Sequence, residues 1–538
     1  MRGGLPTLLL ALLGGLLVAG SCGGGSGSGG SRSQVRVGSA GGPACAPLPG
    51  AFPAGLAFIP GLPGRLLVAN FAPGAALPFD GRTRPPVVAS PGAVPGIPAD
   101  SDGDGRDEGC APPACATPLV PLLDGVLGVR ANLALVTASG YEEVLFVDPG
   151  SGGLVPLEVS TPAALDPGDF PFLPPPGSSA PRTALSTQAC VPFSPGAVDS
   201  AGMPVLSSPR CVAGRINTRF TSGVALAAGH LFVSTSNVDK DPGGIATTYL
   251  PGSILVYDLD LNASPPRVHP HSPFFAIETL GFNPTHVTRV VTPGGRELVL
   301  VSVSGALGIV PDDPSTPELE GGGVARSEAA IEVIDPQSLQ LVATVPLGLA
   351  GLSFDRLAVD PGGRVAFAGS AIGRDLLGID LSALDALPPA PAPPLVLDGS
   401  DPAAGHADAR IFDADRPLVL PRRPDGPSAG SCPGFTVGVA FDAAGSTLFA
   451  TDFCDGTISV VAADLSAGPT PLPRSRFQVL RATPVAAPLG AAGLGGSRAP
   501  GSLAVRPGLP QVDFDGPDLF FLLGDPEGQL CSVASAGL

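Results

Sequence analysis

Apolar residues in this chain come in short runs separated by Pro, Gly and Asp. Gly434 to Leu465 holds three such runs. Val437 to Phe441 passes through Asp442–Ser446 into Thr447 to Thr451, and Asp452–Gly456 leads on to Thr457 to Val461. β-Branched and aromatic runs of this length, bounded by Asp and Gly, predict antiparallel strands, and Asp455-Gly456 is a hairpin signal.

The order recurs along the chain. The pattern predicts strands over Gly55 to Ile59 and Arg65 to Asn70, then over Asn132 to Thr137 and Glu143 to Asp148. It returns at Gly223 to Leu226, Gly229 to Ser234 and Gly252 to Asp258. A fourth copy covers His286 to Val291, Glu297 to Ser302, Ala330 to Asp335 and Leu341 to Val345, and a fifth covers Leu357 to Ala368 with Leu376 to Asp380. The last copy is Ser502 to Val505, Asp518 to Leu523 and Gly528 to Val533. One such unit cannot bury both of its faces alone, whereas units packed radially cover one another and protect most edges. The expected fold is therefore all-β: a β-propeller, with seven blades from seven copies. Two stacked sandwiches are the alternative.

Second strands lie about 65–100 residues apart, so long Pro/Gly-rich insertions are expected at about 81–120, 160–218, 305–328 and 395–433 within one domain, 34–538. A ring closes well when the chain's other terminus supplies a missing outer strand. Gln34 to Gly38 is the candidate.

Leu448 to Asp452 with Asp455 to Val461 resembles the YVTN-type β-propeller repeat, as do Leu66 to Asn70 and Ile331 to Val345. Repeats of this kind run about 40–45 residues, shorter than the spacing here. Propellers resembling this repeat include lactonases, and the resemblance implies acidic and His residues around the channel mouth if this chain is such an enzyme.

Composition narrows the picture. Gly and Pro, 75 and 66 residues, make up a quarter of the 538, yet 44% of residues are hydrophobic and only 14% charged. A disordered chain has the opposite balance. The net charge of −18 repels phosphate backbones and argues against nucleic-acid binding.

Arg2 followed by the apolar stretch Leu5 to Val18 reads as a signal peptide over 1–21, too short to span a bilayer. It ends in Val18-Ala-Gly-Ser-Cys22, which resembles the lipobox of bacterial lipoproteins, with Ala19 where that family usually has Leu. The resemblance implies lipidation of Cys22 and a place on the bacterial cell envelope, on a periplasmic or surface face of the outer membrane. Residues 22–33 then form a flexible Gly/Ser tether. Ordinary secretion, with Cys22 lost or free, is the other reading.

Setting Cys22 aside leaves eight cysteines in an oxidising context. Proximity favours Cys110–Cys115, Cys190–Cys211 and Cys432–Cys454, which leaves Cys45 with Cys531. The two mid-sized loops would each contribute roughly 3 kcal/mol on the chain-entropy model.

Asp100-Ser-Asp-Gly-Asp-Gly-Arg-Asp-Glu-Gly-Cys110 places oxygens at loop positions that suit a hard cation. It resembles the calcium repeats of thrombospondin type 3 and dockerin modules. That resemblance implies Asp100, Asp102 and Asp104 as side-chain ligands, Arg106 through its carbonyl and Glu108 directly or through water, around a structural calcium. Ala111 stands where the family has an acid. A solvated acidic loop stapled by Cys110–Cys115 is the alternative.

The polar residues ending second strands (Asn70, Thr137, Ser234, Ser302, Asp452) either face the channel or rim, or cap turns. His269-Pro-His271 reads as an exposed loop with metal-ligand potential, and His230 and His286 as packed or half-exposed strand residues rather than catalytic ones. No G-x-S-x-G, H-E-x-x-H or P-loop motif is present. The leading expectation is an exported, lipid-anchored propeller that binds or scaffolds an envelope or extracellular partner. A lactonase-like hydrolase on the same fold is the alternative.

Overall fold

The computed structural model describes residues 43–48, 53–70, 75–80, 82, 86–88, 123–240, 247–310, 322–353, 355–388, 393–400, 407–425, 434–486, 500–505, 519–523 and 529–533. Among them strands dominate, and the only helices are short 3-10 turns.

The repeated pattern folds as the alternation dictates. Thr436–Phe441, Thr447–Asp452 and Thr457–Ala463 pair in sequence as antiparallel neighbours. The connecting turn carries Gly456 at φ 64°, left-handed backbone that a residue without Cβ adopts at no steric cost. A fourth strand, Phe477–Pro484, completes the sheet. Along Thr447–Asp452, Leu448 and Ala450 pack to one side and Phe449 to the other, all of them buried. Period-two alternation with both faces apolar is the signature of a sheet sandwiched between two others.

Six sheets follow in chain order, and a seventh joins the ends. The first is Pro53–Phe58, Arg65–Asn70, Ala75–Asp80 and Val87–Val88; the second is Leu123–Arg130, Leu133–Ala138, Glu143–Val147 and Ala184–Ser186. The third is built on Thr221–Ala227, His230–Thr235 and Pro251–Asp260, with Arg267–Pro270 and Ala276–Phe282 both pairing with the last of these. Leu157–Ser160 and Ser179–Arg182 extend it. The fourth is Pro284–Val291, Glu297–Val303, Ala329–Asp335 and Gln340–Gly348, edged by Leu395–Val396. The fifth runs from Ala358–Val359 through Val365–Gly369 and Asp375–Asp380, where Arg410–Phe412 and Leu418–Val419 both pair. The sixth is the sheet described above.

The closing sheet orders Ala44–Pro47, Gln529–Val533, Leu519–Leu523 and Pro500–Val505. Its edge comes from the N-terminal side, with Cys45 directly opposite Cys531 and disulfide-bonded to it. The strand in this place is Ala44–Pro47; Gln34 to Gly38 lies outside the described residues.

Successive sheets share apolar clusters. Leu135 and Phe146 meet Val224 and Leu231 between the second and third sheets. Leu300 and Ile331 meet Ala366 and Leu377 between the fourth and fifth. First strands pack side by side: Pro53–Phe58 with Leu123–Arg130, that strand with Thr221–Ala227, that with Pro284–Val291, and Thr436–Phe441 with Pro500–Val505. Sheets arranged face to face around their first strands make a β-propeller.

The expectation of seven blades is corrected: among the described residues the ring shows five blades rather than seven. The second to sixth sheets are complete among the described residues. The first has an outer strand of only two residues, and the closing sheet is a composite of both chain ends. Sequence similarity among strand runs cannot reveal that difference.

Candidate functional site

At the end of the ring where first strands begin, hydroxyls stitch neighbouring sheets together. Thr137 Oγ1 accepts from the Gly125 N–H at 2.7 Å and donates to the Ser222 carbonyl of the third sheet at 3.3 Å. Ser139 donates to the Thr221 carbonyl. Ser222 and Ser236 both donate to the Pro284 carbonyl of the fourth sheet, at 3.0 and 3.1 Å. Ser304 donates to Leu352 at 2.7 Å, and Ser353 to Val437 of the sixth sheet at 3.0 Å. Of the polar strand ends expected from the sequence, Thr137 thus bonds the next sheet, together with the neighbouring hydroxyls of Ser139, Ser222, Ser236, Ser304 and Ser353. They satisfy carbonyls that would otherwise be buried without partners. Ser234 bonds Ser222 at 3.1 Å, while the buried Ser302 hydroxyl has no partner. Nothing larger than Gly fits beside the axis at Gly223, where a Cβ would lie 2.8 Å from His286 Cα. Burial drives His286 down to about 3, and the nearby Arg356 charge adds to this, so the imidazole is neutral.

A group of arginines gathers at this same end, between the fifth and sixth sheets. Arg374, Arg422, Arg423 and Arg481 line a cleft of about 690 Å³, with the buried Thr457 in its wall. Behind it stand Asp452, ending the strand Thr447–Asp452, and Asp455, in the turn that follows. Asp455 accepts from Arg374 Nη1 at 3.4 Å and from the Arg423 N–H at 2.8 Å. Its own N–H donates to Asp452 at 2.9 Å. Both carboxylates are 1% exposed, and Asp452 Oδ2, Asp455 Oδ1 and Thr457 Oγ1 have no hydrogen-bond partner. Burial pushes Asp452 up to about 7; the Asp455 N–H opposes this, the Asp455 charge reinforces it and Arg374 opposes it. Arg423 also grips Asp425 at 2.5 and 2.8 Å and the Ala486 carbonyl at 2.8 Å. Guanidinium groups in a partly water-excluded cleft suit carboxylate or phosphate oxygens.

A second cluster sits at the opposite end of the third sheet. His230, Asp258 and His269 are direct partners across three adjacent antiparallel strands. Asp258 Oδ1 lies 2.7 Å from His230 Nδ1 and 2.9 Å from His271 Nδ1, and Oδ2 lies 3.5 Å from His269 Nδ1. Burial works against ionisation of Asp258, yet the hydrogen bonds and charge supplied by these histidines hold it below the usual carboxylate value. Reading along the chain finds His269-Pro-His271 but not its partners, because His230 and Asp258 join it only through strand register.

Cys190 and Cys211 are disulfide-bonded, and so is Cys454. Asp100, Asp102, Asp104, Arg106, Glu108, Cys22, Cys110, Cys115 and Cys432 lie outside the described residues, as does the segment 1–42. Asn70 lies on its strand at the end of the first sheet's second strand. No helix among the described residues is long and apolar enough to cross a membrane.

No protein-family model matches the chain, and no curated protein does. Solved structures do. The β-propeller domain of Cps50 (Swd1) from Myceliophteria thermophila is 10% identical, with 91% of this chain and 100% of that one covered at a TM-score of 0.41. The Dos1 propeller is 9% identical, covering 92% and 95%, at a TM-score of 0.41. The periplasmic gluconolactonase PpgL of Pseudomonas aeruginosa is 16% identical, covering 62% and 71%, at a TM-score of 0.33. Similarity this distant carries no functional argument.

Proposed function

We propose that this chain is an exported binding propeller whose ligand presents a carboxylate or phosphate group to the cleft between the fifth and sixth sheets. One observation carries the reading: four arginines converge on one cleft in a chain of net charge −18. A charge so contrary to the rest of the surface focuses anions locally. Asp455 and Asp425 pair with two of the four guanidinium groups, and the exposed Arg481 adds positive charge at the mouth. The disulfides fit an oxidising, exported setting. Anchoring through Cys22 at the cell envelope, a YVTN-type ancestry for the repeats and a calcium held by Asp100, Asp102, Asp104, Arg106 and Glu108 belong to the same proposal.

The test is thermal: full-length protein is melted with and without millimolar inorganic phosphate or citrate at constant ionic strength. The expected result is a rise in Tm that the double variant Arg422→Ser, Arg481→Ser loses. An equal rise in parent and variant would assign the effect to salt and remove the cleft from consideration.

A lactonase-like hydrolase is the second reading, favoured by the raised Asp452 beside a cationic cleft, an arrangement typical of functional carboxylates. Fold analogy does not establish it. A lactone-hydrolysis screen of parent and Asp452→Asn decides: turnover lost in the variant supports an enzyme, and no turnover in the parent rejects it.

A further inference from the structure

We infer that His230, Asp258 and His271 form a binding site for a borderline divalent transition metal, zinc in the first instance. The argument begins with abundance. The chain has five histidines in 538 residues, and three of them surround one carboxylate. Partners directly opposite on neighbouring antiparallel strands project from the same face, which brings His230, Asp258 and His269 into one row. His271 follows His269 by two residues, the period that returns a side chain to the same face. The backbone holds this in place: the His271 N–H donates to the Val256 carbonyl at 2.9 Å.

The ligand atoms of His230, Asp258 and His271 all lie within 4.8 Å of one another. The His230 and His271 rings meet edge to face, 5.0 Å between centroids and 84° apart, so they do not stack and both Nδ1 atoms point at the same oxygen. Zinc bonds of about 2.0–2.2 Å place tetrahedral ligands about 3.3 Å apart. The nitrogen–oxygen distances are 2.7 and 2.9 Å, so side-chain rotation of about half an ångström admits the ion without moving a strand. Metal binding at Nδ1 selects the neutral tautomer with its proton on Nε2, so each imidazole shifts its proton to the other ring nitrogen and donates the freed Nδ1 lone pair. His230, Asp258 and His271 side chains are 20%, 31% and 25% exposed. That opens an entry path and leaves a coordination position for water, or for His269. Two imidazoles and a carboxylate suit zinc, nickel, cobalt or copper(II), whereas calcium and magnesium prefer oxygen donors. The site is thus distinct in chemistry from the acidic loop at Asp100 to Glu108.

The test uses the full-length protein, stripped with a chelator. It is titrated calorimetrically with zinc chloride and, separately, with cobalt(II) while the visible spectrum is recorded. One equivalent of zinc per chain and a cobalt d–d band are expected, and the metal should raise Tm. His271→Ala removes a direct ligand and should weaken binding by more than the roughly 100-fold upper range for losing an outer-shell partner, and His230→Ala with His271→Ala should abolish the cobalt band. His271→Gln, which keeps volume and polarity, guards against a folding artefact. Asp102→Ala with Asp104→Ala should leave binding intact. No uptake at millimolar metal, or uptake unchanged by the His230→Ala, His271→Ala variant, overturns the assignment and leaves a hydrogen-bonded histidine cluster.

Discussion

Asp258 and Asp452 are the same residue type in the third strand of one blade and at the end of the second strand of another, and they behave in opposite ways. Asp258 is 31% exposed and ringed by imidazoles, which hold its carboxyl below the usual value. Asp452 is 1% exposed, its nearest charged neighbours are another carboxylate and a guanidinium, and it is pushed up to about 7. Water and hydrogen-bonding partners decide the outcome, because desolvation penalises the charged form more than a single distant cation can offset. Glu332 extends the comparison. It is buried in the fourth sheet, accepts from the Gly281 N–H at 2.8 Å and is driven to about 8 by burial, against that hydrogen bond and the Leu280 N–H.

The largest effect is expected from taking away the cation at the dry site. Arg374→Met leaves Asp455 buried with only the Arg423 N–H, and removing one partner of a buried pair costs about 3 kcal/mol or more. Urea unfolding at neutral pH measures it. A loss below about 0.5 kcal/mol would mean that the backbone alone satisfies Asp455, and the comparison would rest on burial rather than pairing.

Asp452→Asn should act next, and its sign depends on pH. The folded value of about 7 lies above the ordinary 3.8, so between these limits the unfolded chain ionises while the folded one keeps its proton. The parent therefore loses stability as pH rises from about 4 to about 7. The variant lacks this loss and should be more stable at pH 8, on the order of 1–3 kcal/mol, and equal near pH 4. Tm measured against pH for both proteins checks this; parallel curves would show that Asp452 ionises freely.

The smallest effect belongs to Asp258→Asn. A lowered carboxyl contributes stability above its ordinary value and loses it as pH falls through the folded one. With this exposure the metal-free contribution should be less than about 1 kcal/mol, read as a Tm change at pH 7 that disappears as the pH falls through the lowered value. A larger loss would mark Asp258 as a keystone of the third sheet and narrow the contrast with Asp452.

The legible parts of the candidate site were single residues. Asp452 is visible as a polar strand end, and His269-Pro-His271 as a metal-capable pair. Their surroundings were not visible: Arg374 reaches Asp455 across 81 residues of sequence, and His230 reaches Asp258 across 28. The hydroxyl latches show the same limit. Thr137, Ser222 and Ser353 look like ordinary turn-flanking residues until the carbonyls of the next sheet are placed beside them.

By itself, the chain's pattern determined strands and turns, because period-two alternation, β-branched runs and Gly or Asp turn chemistry act over a few residues. Thr447–Asp452 and Arg65–Asn70 form where that local chemistry puts them. Only tertiary structure decided which ends meet, as with Ala44–Pro47 against Gln529–Val533, how many blades are complete, and which acids are dry. Those outcomes depend on desolvation and on partners far apart in sequence, quantities that no local pattern encodes.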